Sequence, residues 1–116
     1  MTPHPLPLLP GTLDVLVLAA LEQEPRHGYD VAEWIRMRSA EALQVDDGAL
    51  YTSLHRLERR GLLEAEWGMS ESRRRAKYYR LTREGAKHLA HETRSWGRYA
   101  AAVFRVLGTH PEAEPT

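Results

Sequence analysis

GALYTSLHRLERRGLLEAEW, running from Gly48 to Trp67, joins the pattern of a basic amphipathic helix to that of an alternating strand through one glycine. Leu50, Leu54 and Leu57 stand at i, i+4 and i+7, the spacing of one helix face. That leaves Gly48, Thr52, His55, Arg56 and Arg59 on the opposite face, with Tyr51 at its edge. Asp46 or Asp47 supplies a side-chain acceptor for the free amides at the start of this helix, and Gly61 suits the left-handed turn that ends it. Beyond the glycine, Leu63, Ala65 and Trp67 alternate with Glu64 and Glu66, which is the period of a half-buried strand. A helix with an apolar inner face and a basic outer face therefore runs directly into a strand.

A second alternating run follows in AKYYRLT, with Lys77, Tyr79 and Leu81 set against Ala76, Tyr78 and Arg80. The GMSESRRR between the runs is too long for a tight turn, so the two strands form a hairpin with a protruding tip. From Arg73 to Arg83 there are six basic residues and no acid. The chain is neutral overall, yet residues 1–47 hold 3 Lys/Arg against 8 Asp/Glu, residues 48–87 hold 10 against 5, and residues 88–116 hold 3 against 3. Positive charge concentrated around one helix and one hairpin tip points to a polyanionic partner more than to a generally solvated surface.

At the N-terminus, MTPHPLPLLPG has prolines at 3, 5, 7 and 10, which favour an extended arm over residues 1–10. A first helix begins at Thr12, read as its N-cap. It is apolar on both sides, with Leu13, Leu16, Val17, Ala20 and Leu21 on one face and Val15, Leu18 and Ala19 on the other. Such a helix needs two partners, and the second is read as a subunit interface or a covering helix. RHGYDVAEWIRMRS forms a second helix with Tyr29, Val31, Trp34 and Ile35 inward, and Leu43 and Val45 suffice for no more than a very short strand. Thr82 caps a long last helix in which Ala86, Leu89, Thr93, Trp96, Ala100, Val103 and Leu107 form a heptad seam, closed by Gly108 and Pro111. The expected organisation is an arm (1–10), a compact domain (11–82), a C-terminal helix (83–108) and a tail (109–116). The fold class is mainly α with a small β-hairpin.

Several function classes fall away. The absence of cysteine removes disulfides, thiolate nucleophiles and cysteine-ligated zinc. No apolar run approaches the ~20 residues of a membrane span and no signal peptide is evident, so a cytoplasmic protein is expected. There is no nucleophile–base set, phosphate loop or carboxylate pair, hence no enzyme and no cofactor is expected. His27 reads as a helix-start residue, and His88 and His91 beside Glu92 as polar surface, so no metal site is assigned. Trp34, Trp67 and Tyr79 read as core. Trp96 reads first as interface and second as a platform for a ligand.

Helix, helix, helix, strand, basic tip, strand and long helix together make a winged helix-turn-helix, in which a helix enters the major groove and a hairpin meets phosphate or minor groove. A winged-helix module binding protein instead of DNA is the competing reading. It calls for an apolar or acidic outer face on the third helix, and Arg56 and Arg59 oppose it. The blocks HGYDVAEWI, GALYTSLHRLERRGLLEAEW and KYYRLTREG, in this order over roughly residues 11–107, resemble the PadR family of bacterial transcriptional regulators. The resemblance implies a dimeric repressor that binds a palindromic double-stranded operator through its third helix and wing and dimerises through its C-terminal helix. It is similar to the short members of the family, which lack an extended helical domain. The family's Ser-Pro-Gly before the recognition helix is here Asp46-Asp47-Gly48. The implied DNA-binding set is Gly48, Ala49, Tyr51, Thr52, His55, Arg56, Arg59, Arg73, Arg74, Arg75 and Lys77. The expected dimer interface is Val15, Leu18, Leu89, Trp96, Ala100, Val103 and Leu107, with a small aromatic effector near Trp96 as a further partner that some relatives suggest.

Overall fold

The computed structural model describes residues 6–109. Helix α1 (Thr12–Ala20) leads to a short strand β1 (Arg26–His27) and helix α2 (Gly28–Arg38), followed by α3 (Asp47–Arg59). The hairpin β2 (Leu63–Met69) and β3 (Arg75–Leu81) comes next, and the long helix α4 (Arg83–Leu107) closes the described chain. The sheet is antiparallel with order β1-β3-β2, and β2 and β3 pair in register from Leu63↔Leu81 to Met69↔Arg75.

Local chemistry accounts for most element ends. Asp46 caps α3 by accepting from the Ala49 amide at 3.1 Å, and Thr82 caps α4 by accepting from Gly85 at 3.0 Å. Gly61, at φ 78°, provides the left-handed residue just beyond α3. His27 caps α2 through its ring nitrogen, which accepts from the Asp30 amide. The expected cap at Thr12 is corrected. Gly11, at φ 83°, occupies that position without a side-chain bond, and the Thr12 hydroxyl is buried without a partner among the described residues.

The core joins Val17, Leu18 and Leu21 of the α1 segment, Val31 and Ile35 of α2, and Leu50, Leu54 and Leu57 of α3. Leu62, Leu63 and Tyr79 join from the hairpin and Leu89 from α4. Placing α1 against all three other helices explains its apolar circumference. It also corrects two expectations. Leu18 is fully buried in the chain's own core and offers no surface to a second copy, and Leu89 is buried there too except where it reaches the wall of a groove beside α1. The second face of α1 is instead Val15, Leu16 and Ala19, which line an open apolar groove of about 460 Å³ with residues 6–9, Leu43, Thr93 and Trp96.

Residues 6–9 lie along this groove, tied down where the Leu6 amide donates to the Ala42 carbonyl at 2.8 Å. Leu43 makes a single parallel bridge with Leu6 and builds no strand. The rest of the expected arm, residues 1–5, and tail residues 110–116 lie outside the described residues. Tyr29, expected inward, is exposed on the first turn of α2, whereas Trp34 packs against the core between the guanidinium groups of Arg26 and Arg38. Trp67, expected in the core, is 58% exposed, because the hairpin has left the body of the domain by that point.

Candidate nucleic-acid interface

The burial of Leu50, Ser53, Leu54 and Leu57 fixes the rotation of α3. Gly48, Ala49, Tyr51, Thr52, His55 and Arg59 are exposed as a result. Tyr51 is held in place by the start of α2: a Cβ on Gly28 would stand 2.6 Å from the Tyr51 hydroxyl, so only glycine lets the ring seat there. Between α3 and the hairpin lies a recess lined by Tyr51, His55, Trp67, Arg75 and Lys77, with His27 and Tyr29 at its rim.

Arg56 departs from its expected role. It turns toward α1 and grips Asp14 with two bonds, Nε donating to Oδ2 at 3.0 Å and Nη2 to Oδ1 at 2.6 Å. The fully buried Ser53 hydroxyl donates to the same Oδ1 at 2.6 Å. Asp14 and Ser53 escape a reading by periodicity, although a lone carboxylate in an otherwise apolar helix is the signal that a partner must exist. Arg56 therefore secures α3 to α1 and is corrected from a free base reader to a structural contact. Lys77 is likewise engaged: its Nζ meets Glu58 of α3 at 3.3 Å, which ties the hairpin to that helix.

Burial pushes the Asp14 carboxyl up, but the hydrogen bonds from Arg56 and Ser53 and the charges of Arg56 and Arg60 outweigh it and hold the carboxyl below its usual range. A depressed folded-state value means the link contributes fully above the unfolded carboxylate pKa of about 4 and is lost as pH falls through the folded value. We therefore expect Asp14→Asn to cost about 1–2 kcal/mol at neutral pH, discounted because the Arg56 end is solvent-screened. In urea titrations at stepped pH, the gap between wild type and variant should close below about pH 4. A gap that persisted unchanged there would assign the loss to packing.

The three consecutive arginines do not act as one group. Arg73 sits in the hairpin turn at φ 62°, and Arg74 lies by the recess shared with Glu24, Asp30 and Glu71 on the far side. Arg75 faces α3, its guanidinium 4.8 Å from the centre of the Trp67 ring. On the outer face Arg80 bonds both Glu64 and Glu66, at 2.9 and 3.2 Å. Among the described residues no three His, Asp or Glu side chains converge to hold a metal ion, and no helix is long and apolar enough to cross a membrane.

Along α4, Trp96 is half-buried at the groove and meets Tyr99 edge-on at 6.0 Å. Beyond it the helix continues with Tyr99, Val106 and Leu107 largely exposed, while Ala100 and Val103 are half-covered.

A helical core presenting one exposed polar helix beside a projecting hairpin is the winged-helix class of regulator domain. The match to known proteins narrows this class. The profile of the transcriptional regulator PadR-like family covers residues 17–91, and the chain belongs to that family, whose members are transcriptional regulators and not enzymes. A PadR family transcriptional regulator from Eggerthella lenta DSM 2243 is 33% identical and superposes with a TM-score of 0.70, over 86% of this chain and 85% of that one. A PadR family transcription regulator from Clostridium difficile R20291 is 29% identical with a TM-score of 0.72, over 85% and 100% of the two chains. An uncharacterised protein of Lysinibacillus sphaericus is 29% identical over 89 residues, 77% of this chain and 82% of its own.

Proposed function

We propose that the protein is a cytoplasmic, dimeric transcriptional repressor that binds a palindromic operator, placing α3 in the major groove and the wing against the flanking backbone. The observation that carries this reading is the exposed face of α3, where Thr52, His55 and Arg59 stand clear of the core beside a wing bearing Arg73 and Arg75. Arg59 and Arg73 make no side-chain hydrogen bond or ion pair with the described residues, so their donors are available to a duplex. Dimerisation is supported by the groove beside α1 and by the apolar residues along the second half of α4, which no other described element covers. The same groove, with Trp96 in its wall, has the size and chemistry to take a planar apolar effector.

Footprinting on DNA upstream of the protein's own gene tests the reading. Protection of two half-sites about 10 bp apart, or a multiple of that, is the expected result. Uniform protection unaffected by scrambling the site would remove it.

The division between helix and wing gives a sharper expectation. Replacing Arg73, Arg74 and Arg75 by alanine should weaken binding to every duplex and flatten the salt dependence by up to ~0.9 for each phosphate no longer bound. Arg59→Ala should instead relax preference at particular base pairs by about 1–3 kcal/mol. Titrations of cognate and scrambled duplexes at several salt concentrations separate the two. Equal weakening on both duplexes for Arg59→Ala would reassign that residue to phosphate.

A further inference from the structure

We propose that Trp67 is a positioning residue for DNA binding: its exposed indole holds the Arg75 guanidinium extended on the α3 side of the wing, aimed at a backbone phosphate. This rests on the DNA-binding reading above and adds to it a residue that acts through another.

The geometry begins with strand register. Trp67 pairs with Lys77, and Arg75 lies two residues along β3 on the same face, so Trp67 and Arg75 are diagonal cross-strand neighbours. Their 4.8 Å separation is well inside the ~6 Å reach of a cation–π contact. At 58% exposure Trp67 is not retained by the core, and on the wing its ring lies under the Arg75 guanidinium.

The kind of contact matters. Lys77 is paired with Glu58 and Arg56 with Asp14, so each spends donors on a carboxylate. A guanidinium lying over an indole ring is restrained without a carboxylate partner, so its N–H donors are not spent on one and serve an incoming anion. Trp67 thus removes rotamer freedom from Arg75 without consuming what Arg75 would use to bind. Tyr51 and His55 stand across the recess on α3, so an arginine held there faces the side from which a duplex reaches that helix.

The test uses the full chain and a mixed-sequence duplex of about 30 bp at low salt, because phosphate contacts do not depend on sequence. Trp67→Leu should weaken binding about threefold to tenfold, the range expected for releasing one restrained arginine, and Trp67→Phe should recover most of the affinity. Arg75→Lys, which keeps the charge and removes the guanidinium plane, should weaken binding by a similar factor. The deciding measurement is the double variant Trp67→Leu/Arg75→Ala, which should bind no more weakly than Arg75→Ala alone. A merely structural tryptophan would not show that dependence on Arg75, and Arg75→Lys needs no change at Trp67 should Trp67→Leu fold poorly. Additive effects in the double variant, or full affinity of Arg75→Lys, would overturn the inference while leaving DNA binding in place. Absence of binding by the unaltered protein would overturn the underlying reading as well.

Discussion

Gly85→Ala is expected to destabilise the protein by about 2 kcal/mol and to lower its melting temperature by about 10 °C, although alanine is the better helix former. Gly85 lies in the first turn of α4, and a Cβ there would run into the Leu62 carbonyl oxygen, with the Leu81 side chain a further 3.3 Å neighbour. The obstacle is backbone, so no rotamer change relieves it. Leu62 is also fixed by its own carbonyl, which accepts from the Thr82 amide at 3.1 Å, while the Thr82 hydroxyl donates to Gly61 at 2.7 Å. Overpacking of this kind costs about 3 kcal/mol, against about 1 kcal/mol of helix preference in alanine's favour, and the steric contribution wins. Gly97, in the same helix with open space where a Cβ would go, supplies the control: Gly97→Ala should leave the melting temperature unchanged or raise it. Thermal melts followed by circular dichroism decide the matter. A Gly85→Ala protein melting with wild type would mean that α4 can shift away from Leu62, and so is not firmly seated on the winged domain.

If the proposed dimer forms through α4, Val103→Arg is expected to yield monomers and to reduce affinity for a two-half-site operator by about 10²–10⁴, the advantage normally gained by joining two binding events. Val103 lies on the same helical seam as Trp96 and Leu107, in the part of α4 beyond the groove that it walls together with α1. In the proposed dimer a guanidinium there would be buried unpaired, which is strongly unfavourable. In the single chain it stays in contact with water, so the melting temperature of the monomer should change little. Sedimentation measures the assembly, and titration with single and paired half-sites measures the affinity. A variant that stayed dimeric would place the interface elsewhere, and a monomer with undiminished operator affinity would remove the linkage between assembly and binding.

The winged-helix plan is legible in the sequence wherever burial follows a local period. Leu50, Leu54 and Leu57 set the face of α3, Tyr79 sets the inward side of β3, and Asp46, Gly61 and Thr82 mark the element ends. What periodicity leaves open depends on partners distant in the chain. The helix α1 is apolar on both sides, so spacing cannot tell that Leu18 faces the core and Val15 the groove. Strand β1 has two residues and hence no alternation to read. Alternation correctly puts Trp67 on the inward side, but it carries no information on where a ribbon outruns the body beneath it. The Asp14–Arg56 link joins residues 42 apart in sequence, so the basic residues of α3 look equally free until α1 is packed against them.

Charge is divided unequally between the two sides of the hairpin. With Arg80 bound between Glu64 and Glu66, acidic charge predominates at that contact on the solvent side of the ribbon, while on the opposite side Glu58 offsets Lys77 and Arg75 supplies the positive charge. A thin ribbon of this kind has an electric dipole across its thickness, and a long polyanion exerts a torque on such a dipole before any atoms touch. The wing would then approach a duplex with its α3 side already turned inward, so that fewer encounters begin in an unproductive orientation.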